Sequence, residues 1–375
     1  MPKASADRAQ SKAIVYFGSA VVEQPGGNAT LPAKLARILA KFDLKHLCQG
    51  AWVPVKMHLG GGLGYSTIHP MFVRLLVKAI KEAGGKPFVV EGSFDSVAAA
   101  AERGYTAETL GCPIVAAGGP YNSHLVTKAV SYRTLNELKI FGAIWDAPCL
   151  VNFSHVKGHG DCGYGGACKN IAMGCVAGET RGKLHALEGG IEWLAELCSL
   201  CGKCVAACDT RAIGLDKKRK RVWISFHDCR YCRHCVLACP RKALVMHDKR
   251  GFRHFQEGLA LAAKSILESF DPTRVLHINL LANITMFCDC WCMTTPSLVP
   301  DIGVMASQDL VAVETASLDA IQVKDLLPSG LIGRRKLGRG KHLFEKIHGK
   351  DPYIQIRALE RHGVGTANYE LLEVR

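Results

Sequence analysis

Short apolar runs alternate with amphipathic stretches through the first half of the chain. "WVPVKMHLG" (52–60) reads as a buried strand running into glycines. The next segment, 69–84, places Phe72, Leu75, Leu76 and Ala79 at i, i+3, i+4, i+7, and Gly84-Gly85 ends the predicted helix. "KPFVVEG" and "CPIVAAGG" read as further strands, with a helical stretch from Ala98 to Leu110 between them, and "APCLVNFSHVKG" is another apolar run opening into glycines. After residue 248 the pattern resumes: "RHFQEGLALAAKSILESF" as an amphipathic helix, "RVLHINLL" as a strand, and a strand and helix between Asp301 and Leu327. Strands alternating with helices predict an α/β fold, a mainly parallel sheet with flanking helices.

Residues 188–248 break that rhythm with two cysteine runs, so the pattern predicts one α/β domain (12–187 and 249–330) interrupted by a small insert. It assigns no fold to the basic extension 331–375. The first run is Cys198-x2-Cys201-x2-Cys204-x3-Cys208, the second Cys229-x2-Cys232-x2-Cys235-x3-Cys239, offset by 31 residues. Three thiolates at this spacing wrap one corner of a cubane cluster, and the fourth ligand comes from the other run. The expectation is an α+β insert of bacterial ferredoxin type holding two [4Fe–4S] clusters. Cys198, Cys201, Cys204 and Cys239 hold one; Cys229, Cys232, Cys235 and Cys208 hold the other. Paired structural zinc sites fit poorly, since they need only CxxC pairs. Asp209 stands where proline commonly follows the last cysteine.

Composition sharpens this picture in two ways. Seventeen cysteines in 375 residues, with no apolar run long enough for a secretory leader or a membrane span, point to a cytoplasmic chain whose thiols serve metal chemistry. The net charge of +14 sits partly in short runs, 217–221 and 334–336, which read as solvated turns. The alternatives are nucleic acid, a phosphorylated or carboxylated substrate, or docking of an acidic electron carrier, and charge does not choose among them; the expected partners are an anionic small molecule and an electron-carrier protein.

Two strand ends carry similar chemistry. Lys56-Met-His58 precedes Gly60-Gly-Gly62, and Lys157-Gly-His159 precedes Gly160. Open α/β sheets place ligands at such strand ends. Lysine and histidine there can bind or protonate an anionic substrate, which makes Lys56, Lys157, His159 and Lys169 the candidate catalytic residues. Cys168 and Cys175 are seven apart and share a face if that segment is helical.

The third thiol group is "CDCWC". If extended, Cys288, Cys290 and Cys292 share one face. With Cys175, Cys168 or Cys162 they could form a third iron–sulfur or metal site. They could instead be a redox-active dithiol, or small buried side chains beside a turn. Cys48, Cys112 and Cys149 are isolated and read as core.

The series "STIHP", "SHVKGHG…GYGGACKNIAMGC", "GKLH", the cysteine pair and "CDC…PDIGVMASQDLVAVETAS" resembles the domain of unknown function 362 family, in its branch with an inserted ferredoxin, over residues 12–330. The resemblance implies an α/β core split by the insert and a redox setting, and it supplies no reaction. It points to Lys157, His159, Lys169, Asn170, Cys288 and Cys290. Cys162, Cys168 and Cys292 depart from its pattern. The functional expectation is an iron–sulfur oxidoreductase or electron-transfer protein with an external low-potential donor or acceptor protein. The alternative is a carrier or sulfur-transfer scaffold with no substrate of its own.

Overall fold

The computed structural model describes residues 12–375 apart from 93, 120, 227, 231, 247–250 and 333–334. Eight strands form the central sheet: β1 (Ala13–Ser19), β2 (Trp52–Lys56), β3 (Lys86–Glu91), β4 (Ile114–Ala116), β5 (Leu150–His155), β6 (Val275–Leu281), β7 (Gly303–Ser307) and β8 (Tyr369–Glu373). Their spatial order is β8-β1-β7-β6-β5-β2-β3-β4. Only β7 runs antiparallel to its neighbours, β1 and β6; the remaining pairs are parallel.

Helices cover both faces, so the strands are buried on both sides and read as continuous apolar runs. On one face α1 (Leu31–Leu39) and α2 (Pro70–Glu82) pack Leu35, Ile38, Leu76 and Val77 against Val53, Val55, Val151 and Ile278. On the other, α3 (Ala167–Gly174), α4 (Gly251–Leu267) and α5 (Leu310–Asp319) pack Ile171, Phe255, Leu259 and Val313 against Leu150, Leu281 and Met305.

The buried stripe of α2 is Val73, Leu76, Val77 and Ile80, one position on from the set chosen by periodicity, and Phe72 and Leu75 are only partly buried. Both sets satisfy the helical period; contact with the sheet selects the one richer in β-branched residues. Between Ala98 and Leu110 the predicted helix is broken into short turns, Ala99–Arg103 and Ala107–Leu110, separated by Gly104 at φ 78°.

Residues 331–375 join the main domain. Helix α6 (Tyr353–Arg361) packs on α4, and β8 pairs in parallel with β1 along the sheet edge. The largely exposed "YELLE" of β8 lacks the apolar run that marks the inner strands.

The cysteine-rich segment builds two small antiparallel pairs, Ile191–Trp193 with Leu244–Met246 and Ile213–Asp216 with Arg221–Ile224. Short helices Lys203–Ala206 and His234–Leu237 carry the third cysteine of each run, Cys204 and Cys235. Its own small core of Ile191, Ile213, Val222 and Leu244 lies among the cysteines. The basic run 217–221 is the turn of the second hairpin and is mostly exposed. Of the second basic run, Arg334 lies outside the described residues, while Arg335 pairs with Asp228 at 3.0 Å.

Candidate functional site

The eight cysteines of the insert separate into two groups in space. One cavity is lined by Cys198, Cys201, Cys204 and Cys239, with Trp193, Val222 and Leu244 behind them. A second is lined by Cys208, Cys229, Cys232 and Cys235. In each group the fourth thiol belongs to the other run. Mutual proximity is also felt electrostatically: after burial, which raises it most, the Cys235 thiol is pushed up to about 11 by Cys229, Cys208 and Cys232. A soft, all-thiol donor set of four suits an iron–sulfur cluster in each cavity. Cys201 and Cys232 reach the surface, and Arg230, Arg233, Arg339 and Lys346 surround the second group.

A separate cleft of about 600 Å³ opens at the carboxyl ends of β2, β3 and β5, where an α/β sheet exposes its strand-end side chains. Lys56 and His58 reach it from β2, Glu91 from β3, Ser154 and His155 from β5, and His159 from the short strand that follows. Helix α3 contributes Lys169 and Asn170, and the turn after β6 contributes Cys288, Asp289, Cys290 and Trp291.

Two buried carboxylates organise the walls. Glu91 Oε2 accepts from His58 Nδ1 at 2.8 Å, and Oε1 lies 3.5 Å from Lys56 Nζ. Burial acts to raise this carboxyl, yet Lys56 and His58 outweigh it and hold it well below the usual range. Lys56 Nζ also donates to Met57 O at 2.9 Å and to Asn170 Oδ1 at 3.0 Å. A Cβ on Gly174 would lie 2.3 Å from Lys56 Cε, so glycine there lets α3 approach this lysine without displacing its side chain.

The second carboxylate is Asp289, inside the "CDC" motif. Its Oδ1 accepts from Lys157 Nζ at 2.5 Å, and its Oδ2 lies 3.0 Å from His155 Nδ1. Burial again opposes ionisation, and His155 and Lys157 together keep Asp289 well below the ordinary carboxylate range. Lys157 donates further to Ser66 Oγ at 2.8 Å and Ser66 O at 3.1 Å. Burial lowers the ammonium of Lys157 while Asp289 opposes that shift.

These bonds revise the sequence assignments. Lys157 is buried behind Asp289 and does not line the cleft, so it positions the CDC turn. Lys56, His159 and Lys169 do line it. Enclosure in the wall lowers Lys169, with Cys162 and Asp161 opposing. The CDCWC segment is not extended: Asp289–Trp291 is a 3-10 turn, which brings the sulfurs of Cys288 and Cys290 together in a disulfide. Cys292 adopts a left-handed φ of 57° and turns to the glycine loop, where a Cβ on Gly61 would lie 2.8 Å from its sulfur.

Cys175 is buried at the end of α3, with Lys56 and Glu91 as its charged neighbours, whereas Cys168 lies by Glu314 and Cys162. Neither joins the CDC turn. The ligand atoms within 4.8 Å of one another are instead those of His159, Cys288 and Cys290. A second such group, Asp161, His185 and Glu188, lies nearby. Cys48, Cys112 and Cys149 are core residues of the α1/α2 face.

Sequence reasoning did not pick out Glu91, Asp289 or His155. The signal for Glu91 was present, as the one acid at the carboxyl end of an apolar strand. Asp289 carried none beyond lying between two cysteines. Glu314 was equally silent: from α5 it accepts from the N–H groups of Ala167 and Cys168 at 2.7 and 3.1 Å and caps the start of α3. That cap sets the helix carrying Lys169 and Asn170.

No curated protein matches the chain. Among solved structures, the lactate racemase apoprotein from Thermoanaerobacterium thermosaccharolyticum is similar at 11% identity and a TM-score of 0.35, over 96% of this chain and 83% of that one. The family model described as Domain of unknown function (DUF362) matches residues 53–319, a span that contains the whole cleft and the cysteine-rich insert, and the chain belongs to that family.

Proposed function

We propose that the protein is an iron–sulfur oxidoreductase whose insert exchanges single electrons with the cleft, where an anionic small molecule binds. One observation carries this reading. Ser225 and Phe226 line the cleft, and their backbone carbonyls accept from the N–H of Cys229, at 3.1 and 3.2 Å. The wall of the cleft is therefore the scaffold of one cysteine group. The first group would be held by Cys198, Cys201, Cys204 and Cys239, the second by Cys208, Cys229, Cys232 and Cys235. Clusters bound there would supply one-electron chemistry at low potential.

The protein's own residues account for the rest. Glu91 and Asp289 are each neutralised by a lysine and a histidine, while Lys169 and Arg181 make no ion pair among the described residues. The cleft thus presents uncompensated positive charge, which favours a carboxylate or phosphate. His58 and His159 stand beside it as proton donors or acceptors. The arginines and lysine around the exposed Cys232 suit docking of an acidic electron carrier.

Electron paramagnetic resonance on the dithionite-reduced, anaerobically purified chain tests the reading. Two interacting reduced clusters are expected, each lost separately in Cys239→Ser and Cys208→Ser. A chain that holds zinc and gives no reduced-cluster signal would overturn it.

A further inference from the structure

We infer that Cys288 and Cys290 form a two-electron thiol–disulfide couple in the cleft wall, with the Nε2–H of His159 donating a hydrogen bond to the Cys290 sulfur as the bond opens. The inference deepens the electron-transfer reading and rests on it for the natural electron source.

The 3-10 turn joins the two sulfurs, with Cys288 buried and Cys290 exposed to the cleft. His159 is buried, and its Nδ1 accepts from the backbone N–H of Asp161 at 3.1 Å. A neutral imidazole that accepts at Nδ1 carries its hydrogen on Nε2. That Nε2 lies 3.9 Å from Cys290 Sγ. A metal-ligating histidine has the opposite arrangement, with the far nitrogen donating its hydrogen. With Nδ1 accepting from the Asp161 N–H, Nε2 offers a hydrogen to the sulfur and not a lone pair to a metal. Lys169 Nζ, also 3.9 Å from Cys290 Sγ, places a cation where a thiolate would form. Asp289, between the cysteines, is held by Lys157 and His155, so the turn stays fixed while the sulfurs part.

In the reductive direction the Cys288–Cys290 bond breaks, two electrons and two protons are taken up, and two thiols result. Both protons come from solvent through the cleft, while the Nε2–H of His159 and the Lys169 ammonium hold the nascent Cys290 thiolate until it is protonated. The electrons come from a low-potential iron–sulfur donor acting twice, or from a dithiol. The reverse step gives both electrons to an anionic two-electron acceptor held near Lys169 and Arg181. A couple of this kind converts single-electron supply into a paired delivery.

The test equilibrates the full chain in dithiothreitol buffers of graded ratio, quenches with acid, alkylates with N-ethylmaleimide and weighs the peptide containing both cysteines. Exposed Cys292 in the same peptide contributes one constant label, so one and three labels are expected to interconvert in one transition, with no accumulation of doubly labelled peptide. His159→Leu, which removes the N–H donor beside the sulfur, is expected to slow bond opening about tenfold without moving the endpoint, while His159→Gln, which keeps an N–H, stays near the parent rate. Labelling of both thiols in the most oxidising buffer would overturn the proposal. So would protection in the most reducing buffer with one metal ion per chain that Cys288→Ser/Cys290→Ser releases. Iron and acid-labile sulfide on the same samples separate the two readings. Paired labelling without iron would sink the cluster assignment and leave the couple standing; full iron with independent labelling would do the reverse.

Discussion

Lys157 Nζ lies 2.5 Å from Asp289 Oδ1, and both side chains are buried, so the middle residue of the CDC motif is pinned from behind by the KGH motif. Two segments 132 residues apart in sequence thereby become one wall of the cleft.

Removing one partner of a buried pair strands the other's charge, which costs roughly 3–5 kcal/mol. Lys157→Met should destabilise the protein by about that amount. Lys157→Met/Asp289→Asn should recover a large part of the loss, since no charge is then stranded. Urea denaturation of the parent and the variants measures both.

Asp289 and Glu91 each titrate in the folded protein below their unfolded values of about 3.9 and 4.3. Their stabilisation is fully present above about pH 5 and is lost as pH falls through the folded values. Stability measured by denaturant titration should therefore decline from pH 5 downward. Asp289→Asn and Glu91→Gln should each be less stable at pH 7 and show a shallower acid slope.

Anaerobically purified protein should contain about eight irons per chain, and Cys288→Ser/Cys290→Ser should leave that number unchanged. Cys239→Ser should fall to about four, as should Cys208→Ser. Elemental analysis with acid-labile sulfide reads the result; about twelve irons in the parent would place a further cluster at the CDC turn.

Two glycines make a matched contrast. A Cβ on Gly158 would lie 2.3 Å from the backbone oxygen of Met286, which cannot rotate away, so Gly158→Ala should cost about 1–3 kcal/mol and displace the CDC loop. Gly182 lies inside the helix Gly178–His185 with nothing within 4 Å of a Cβ. Gly182→Ala should stabilise by about 0.5–1 kcal/mol. Thermal denaturation of the two variants should move in opposite directions.

The inner strands and main helices were legible because burial on both faces leaves continuous apolar runs, and a helix on a sheet leaves a 3.6-residue stripe. Even so, the stripe of α2 was placed one residue away, because a helix rich in apolar residues satisfies two overlapping sets. The edge strand β8 is solvated and short, and its pairing with β1 at the far end of the chain left no local mark. The hairpin Leu125–Tyr132 with Leu135–Phe141 escaped for a related reason, since no residue of its first strand is fully buried.

Cysteine spacing is a local property of the chain, and so the two runs could be read directly from it. The strand-end lysines and histidines were equally visible as residue types. Their roles were not. Which lysine meets solvent and which is locked behind a carboxylate depends on partners more than a hundred residues away. Glu91, Asp289 and Glu314 became visible as organisers only once packing removed them from water, where an unpaired charge is costly and each must find a cation or a backbone N–H. In the same way, the turn that closes Cys288 onto Cys290 is set by the anchoring of Asp289. Sequence thus determined the inventory of thiols and the α/β frame, and tertiary structure decided which groups face the cleft, because burial and long-range pairing assign each charge its partner.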